Sequence, residues 1–301
     1  MTAPASSSAV SVTYTPADCG SIIPGKSKAP EAFRRAGLIS KLYAPGLAPV
    51  EEHHALPEPA RFSIADFHIR SVRNQALNIE VCKRVHTSLE TTFANIQTSP
   101  PPFQLVIGGE CCQLPAVLSA LANSPVYRNE SVGLIYIDGD LDLTSPIDRD
   151  STGYFAGMTT THLLRLPGSL DAMRYYSDRQ DGRPVCDAGN MVFFGTNAEN
   201  PGNRPENFSF LRSKGFRVIN SSSVASKPKT AAKTTLAYLQ DKVDVIFVHL
   251  DVDSIDPQLF PLANVPNFTG VGFETMMCAL SAMLHCPKYW GSDDHTPKDL
   301  G

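Results

Sequence analysis

Two stretches of the chain concentrate carboxylates at spacings suited to holding metal ions. In Val245-Ile-Phe-Val-His249-Leu-Asp251-Val-Asp253-Ser-Ile-Asp256-Pro257, an apolar, β-branched run gives way to polar residues at every second position. A strand sends alternate side chains to one side, so His249, Asp251 and Asp253 share a face. Val132-Gly-Leu-Ile-Tyr-Ile137 runs in the same way into Asp138-Gly-Asp140-Leu-Asp142. Side by side, the two strand ends would gather five carboxylates: Asp138, Asp140, Asp142, Asp251 and Asp253. Ionised groups at the tip of a buried strand are unfavourable unless something pairs with them, and divalent cations would make the crowding tolerable. Gly108-Gly109-Glu110-Cys111, after Gln104-Leu-Val-Ile107, adds a third loaded strand end with a thiol. His249 could ligate directly or orient Asp142. The structural alternatives are turns and helix caps for the acids, adopted here for Asp256 before Pro257. For a lone cysteine the alternative is packing, adopted for Cys112.

Bringing three strand ends together calls for a parallel sheet. Short apolar runs at 104–107, 132–137, 191–194, 216–219 and 243–248 read as strands buried on both faces. Helical spacing is found near 67–96, 114–121, 159–166, 208–212, 229–240 and 273–284, and a last short strand is expected at Tyr289. Repeated β-then-α units predict a single three-layer α/β/α domain over residues 16–301, with one central, mostly parallel sheet. In such sheets ligands sit beyond the C-terminal strand ends, where Cys111, Asp138 and Asp251 all lie. Residues 1–15, rich in Ser, Ala and Thr, are expected to be disordered. The proline-rich stretch 44–63, with His53 and His54 inside it, is expected to be irregular surface chain.

Bulk properties exclude several classes. The chain has 301 residues, 42% hydrophobic and 19% charged, with a formal net charge of -4. No basic run suggests nucleic acid and no apolar stretch is long enough for a bilayer, so the expected partner is a small-molecule substrate. Seven cysteines are scattered and odd in number, unlike a disulfide framework. With no secretory signal pattern at the N-terminus, the expected location is cytoplasmic.

Motif order and spacing resemble the arginase/ureohydrolase family, binuclear manganese enzymes that hydrolyse guanidines. Asp251-Val-Asp253-Ser-Ile-Asp256-Pro257 is the most specific element. Beside it stand Pro30-Glu31-Ala-Phe-Arg34-Arg-Ala-Gly37-Leu38, Gly108-Gly109-Glu110-Cys111, Asp138-Gly-Asp140-Leu-Asp142 and Gly153-Tyr-Phe-Ala156-Gly157-Met158. The resemblance implies one metal held by Cys111, Asp138, Asp142 and Asp251, and another by Asp138, Asp140, Asp251 and Asp253. Cys111 and Asp140 stand where the family has histidines. A thiolate favours Zn2+ or iron, whereas an all-oxygen site suits Mn2+ or Mg2+. The expected cofactor is thus a divalent metal, Mn2+ by resemblance with Zn2+ admitted by Cys111, as one or two ions.

The substrate side departs further. Ala156 occupies the place of the family's proton-shuttling histidine; His162 and His295 could replace it, but a surface or structural role is the reading adopted for each. Asp294 aligns with the guanidinium-binding glutamate but is one methylene shorter, while Thr152 and Tyr154 replace residues of the amino-acid-recognising loop. Asp140 or His249 would accept or relay protons, and Asp294 would face the substrate. The expected function is a metal-dependent hydrolase acting on a C–N bond (amide, amidine or guanidine type) of a small molecule other than arginine. Two alternatives stay open: a catalytically silent binding or assembly subunit, and a true arginase or agmatinase with atypical ligands. Kinship also implies a homo-oligomer, trimer or hexamer.

Overall fold

The chemistry-bearing residues hang from strands whose pairing decides where they meet. The computed structural model describes residues 10–43, 49–66, 72–263 and 265–285. In chain order the elements are β1 (Val10–Thr15), β2 (Ala17–Asp18), α1 (Ala29–Arg35), α2 (Leu38–Leu42), β3 (Glu51–His54), β4 (Ala60–Arg61), α3 (Gln75–Ala94), β5 (Phe103–Gly108) and α4 (Leu114–Asn123). They continue with β6 (Val132–Ile137), α5 (Thr159–Leu163), α6 (Asp171–Arg174), β7 (Met191–Thr196), α7 (Pro205–Ser213) and β8 (Arg217–Asn220). The last described are α8 (Ser221–Ser226), α9 (Pro228–Leu239), β9 (Val245–Leu250) and α10 (Phe273–Leu284).

Every named strand pair is parallel. Helices cover both faces, giving a three-layer α/β/α fold. Hydrogen bonding divides the strands into the orders β3-β1-β5 and β8-β7-β6-β9, with β2-β4 as a small separate pair. β6 shows why its sequence folds this way. Leu134 and Tyr136 enter the core shared with Leu89, Leu118 and Phe193, while Ile135 and Ile137 enter the opposite core with Leu236, Leu239 and Met276. Period-two alternation thus serves two helical layers at once. Each such fully buried aliphatic side chain is worth about 1.5–3 kcal/mol relative to exposure. No helix among the described residues is long and apolar enough to cross a membrane. The described cysteines are all free thiols.

The structure corrects several expectations. Residues 10–15 are not disordered but form β1, the middle strand of its sheet, buried along its whole length. Val10, Val12 and Tyr14 pack against Leu38, Leu105 and Ile107, and alternate Ser and Thr residues fill the other face. The 44–63 stretch contains β3 and β4, and His54 packs beside Tyr14 with ring centroids 5.1 Å apart. The helix expected over 67–96 is Gln75–Ala94 in the described residues; Asn74, left-handed at φ 50°, precedes it. The helix expected over 159–166 ends at Leu163, followed by Arg165 at φ 53°. The strand expected at Tyr289 lies outside the described residues.

Candidate metal centre

Parallel pairing of β6 with β9 places Tyr136 opposite His249 and Ile137 opposite Leu250. The next residue of each strand is an aspartate, and the Asp251 amide donates to Ile137 O at 2.8 Å. Asp138 and Asp251 are therefore neighbours by register. Cys111 arrives from the short 3-10 turn after β5 (Cys111–Gln113). Two groups of potential ligands result: Cys111, Asp138 and Asp142, and Asp138, His249 and Asp251, with the donor atoms of each group within 4.8 Å of one another. Asp138 belongs to both.

Each carboxylate is held locally. Asp138 Oδ1 accepts from the Asp140 amide at 2.7 Å, Asp253 Oδ1 from the Gly139 amide at 3.0 Å, and Asp251 Oδ1 from the Asp253 amide at 3.1 Å. Asp142, at φ 50°, accepts from the Tyr136 hydroxyl at 2.5 Å. Aspartate tolerates the left-handed region better than most residues. Thr159 Oγ1 lies 3.4 Å from Cys111 Sγ, and the Cys111 thiol points at Ala156 O, 3.6 Å away. Asp140 is placed differently. Like Asp253 it belongs to neither group, and its Oδ1 lies beside Gly202, 3.3 Å from where a Cβ there would stand.

The electrostatics are unfavourable without a cation. Burial, reinforced by the charges of Asp253, Asp142 and Asp251, raises Asp138 well above the usual carboxylate range. Burial and then Asp251 push Asp140 up to about 6. Asp142 is raised by burial and Asp140 against the opposing Tyr136 hydrogen bond, and Asp253 by burial and Asp251. The Cys111 thiol is raised by burial and by Asp142, Asp251 and Asp138. Among the described residues, no lysine or arginine forms an ion pair with any of these five aspartates. Buried, Asp140 Oδ1 and His249 Nε2 have no hydrogen-bond partner among the described residues. Mixed O, N and S donors with orphaned polar atoms and no fixed counter-charge fit a divalent cation.

The model of the Arginase family matches residues 8–293. The chain belongs to the arginase family. It is 27% identical over 281 residues to an arginase of Staphylococcus aureus, covering 92% of this chain and 85% of that one. Its fold is similar to the arginase of Bacillus caldovelox (TM-score 0.75, 21% identity, 91% of this chain and 86% of that one). It is also similar in fold to formimidoylglutamase from Bacillus subtilis (TM-score 0.66, 17% identity, 95% and 78%).

Within this arginase-family chain, the substrate-side residues are only partly gathered. Thr152 is exposed on the loop before Ala156. Tyr154 accepts from Arg73 Nη1 at 3.0 Å, and the Arg73 guanidinium lies 4.5 Å from its ring centroid. Asp294 and His295 lie outside the described residues. His162, expected in a surface or structural role rather than as a shuttle, is fully buried, with Nδ1 3.1 Å from Ser169 Oγ and its ring 5.0 Å from that of Phe155. Burial lowers its pKa to about 4, so it is a neutral core histidine. Asp256 forms the expected turn, accepting from the Gln258 amide at 2.8 Å.

Two supports of the arginase-family site escaped sequence reasoning. Asn203, 5% exposed, accepts from the Leu141 amide and donates to Gly139 O and Asn197 O, each at 2.8 Å. It clamps the 138–142 turn, in which Gly139 has no room for a side chain because Asn267 Nδ2 and Asp253 O lie against it. Its only signal was a cluster of turn-forming residues after β7. Lys26 Nζ meets Glu110 Oε1 at 2.9 Å, and Glu110 Oε2 accepts from the Gly20 amide at 2.7 Å. Gly20 O in turn accepts from the Ala156 amide at 3.1 Å. This pair, buried at the Glu110 side chain, braces the backbone immediately before Cys111.

Proposed function

We propose that the protein is a metal-dependent hydrolase of C–N bonds, acting on an amide, amidine or guanidine group of a small molecule other than arginine. The observation that carries this reading is the pair of ligand groups sharing Asp138 at adjoining strand ends. Cys111, Asp138, Asp142 and Asp251 would hold one cation, and the neighbouring donors a second. When bound, divalent cations supply a Lewis acid and activate water for attack on a trigonal carbon. The chain's own part is to orient donors, through Tyr136 for Asp142 and the Asn203 clamp for the turn, and to exclude bulk water around Asp138. Asp140, whose Oδ1 has no hydrogen-bond partner among the described residues, is the group placed to accept or relay a proton.

The substrate assignment rests on the recognition loop. Tyr154 is engaged by Arg73, and Ala156 cannot move a proton. Mn2+ is the family's metal, and Cys111 makes Zn2+ a competitor for its position. A homo-oligomer is proposed by kinship.

A silent binding subunit is the second reading, favoured by the absence of an imidazole on the 152–157 loop. Elemental analysis of protein purified without added metal, alongside Asp138→Ala and Asp251→Ala, tests the first. About one or two ions per chain, lost in both variants, with ammonia, urea or amine released from a panel of amidines and amides, is the expected result. Metal-free wild-type protein that takes up no Mn2+ or Zn2+ would refute it.

A further inference from the structure

We propose that His249 is itself a metal ligand, giving a nitrogen donor to the cation held by Asp138 and Asp251; this deepens the metal-hydrolase reading and rests on it. The position-by-position family assignment on this chain (Cys111, Asp138, Asp140, Asp142, Asp251 and Asp253) contains no nitrogen donor at all. The structure arranges the donors otherwise. A ring nitrogen of His249 and carboxylate oxygens of Asp138 and Asp251 lie within 4.8 Å of one another. Donors bound about 2.1 Å from one ion stand roughly 3–4 Å apart, so small side-chain adjustments would bring all three onto it.

The ring is held for this role. β9 pairing sets His249 opposite Tyr136, and the two rings stack with centroids 5.0 Å apart and planes 16° from parallel. Its Nε2 is buried without a hydrogen-bond partner among the described residues, an arrangement that needs an explanation. Two of the residues that kinship assigns to the second metal stand apart from this group. Asp140 belongs to neither ligand group, and Asp253 Oδ1 accepts from the Gly139 amide. A histidine lost from the 138–142 turn is thus replaced by one on the facing strand.

Electron spin-echo envelope modulation of the Mn2+-loaded full chain reads directly bound imidazole nitrogen. Wild type, His249→Phe (which keeps an aromatic ring against Tyr136) and His249→Asn would be compared, with Mn2+ affinity from equilibrium dialysis. The expected result is nitrogen modulation in wild type, absent from both variants, with affinity weakened about tenfold or more. Wild-type protein that binds Mn2+ without nitrogen modulation overturns the inference and leaves the hydrolase reading standing. So does His249→Phe that keeps both signal and affinity. Wild-type protein that binds no Mn2+ and no Zn2+ instead overturns the underlying reading.

Discussion

The Tyr136 hydroxyl donates to Asp142 Oδ2 at 2.5 Å, joining the last turn of a fully buried strand to a carboxylate in the following loop. Leaving a buried hydrogen-bonding group unsatisfied costs about 1–3 kcal/mol. Tyr136→Phe keeps the ring against His249 and removes only this bond. We expect a loss of about 1–2 kcal/mol in urea denaturation of the metal-free protein, and Mn2+ binding weakened about tenfold. Unchanged affinity would mean that the loop alone orients Asp142.

Stability of the metal-free protein should fall as pH rises. Asp140 is pushed up to about 6, and Asp138, Asp142 and Asp253 are raised by burial and mutual repulsion. Unfolded aspartates titrate near ~4. Above that pH the native state holds more protons than the unfolded one, so the unfolding free energy decreases with pH until the raised groups have ionised. Thermal melts from about pH 5 to 8 should therefore drift downward without metal. Saturating Mn2+ should remove the drift, because the cation replaces the protons. A metal-free Tm that climbs across this window would contradict the burial argument.

Breaking the Lys26–Glu110 pair should destabilise more than removing it. Glu110 is fully buried at its side chain whereas Lys26 is 22% exposed. Lys26→Met leaves a buried carboxylate uncompensated and should cost about 3 kcal/mol, near the lower end for such pairs because Lys26 reaches solvent. The double variant Lys26→Met/Glu110→Gln should recover part of that loss. A denaturant double-mutant cycle reads the coupling, and additive losses would show that the pair contributes nothing jointly.

Asn203→Ala removes one acceptor and one donor from the 138–142 turn, and a second donor from Asn197 O. We expect about 2–3 kcal/mol of destabilisation and weaker metal binding with an unchanged far-ultraviolet spectrum. Asn203→Asp keeps the acceptor for Leu141 N but loses both donations, and should resemble the alanine variant in metal affinity. Wild-type affinity in both variants would assign the clamp to folding alone.

Much of the architecture was legible because buried parallel strands advertise themselves. Val132–Ile137 and Phe273–Leu284 have the bounds that their apolar patterns suggest. β1 was illegible because Ser11, Thr13 and Thr15, each 1% exposed, look like disorder-prone composition although small hydroxyl side chains fill a packed face. β3 is Glu-Glu-His-His, a strand with no apolar residue, whose place follows only from pairing with β1. At the site, alternation revealed the acids, but it could not show that Asp140 turns toward Gly202. Lys26 and Asn203 were hidden because their partners come from distant segments. Only tertiary contact makes them more than a loop lysine and a turn asparagine.

β1 lies between β3 and β5 and is hydrogen-bonded to both. Trimming the chain to begin at residue 16 would therefore not tidy a tail. It would pull the middle slat from the sheet, leaving two bare edges facing a void and the strand that delivers Cys111 without its neighbour, an invitation to pair with other molecules.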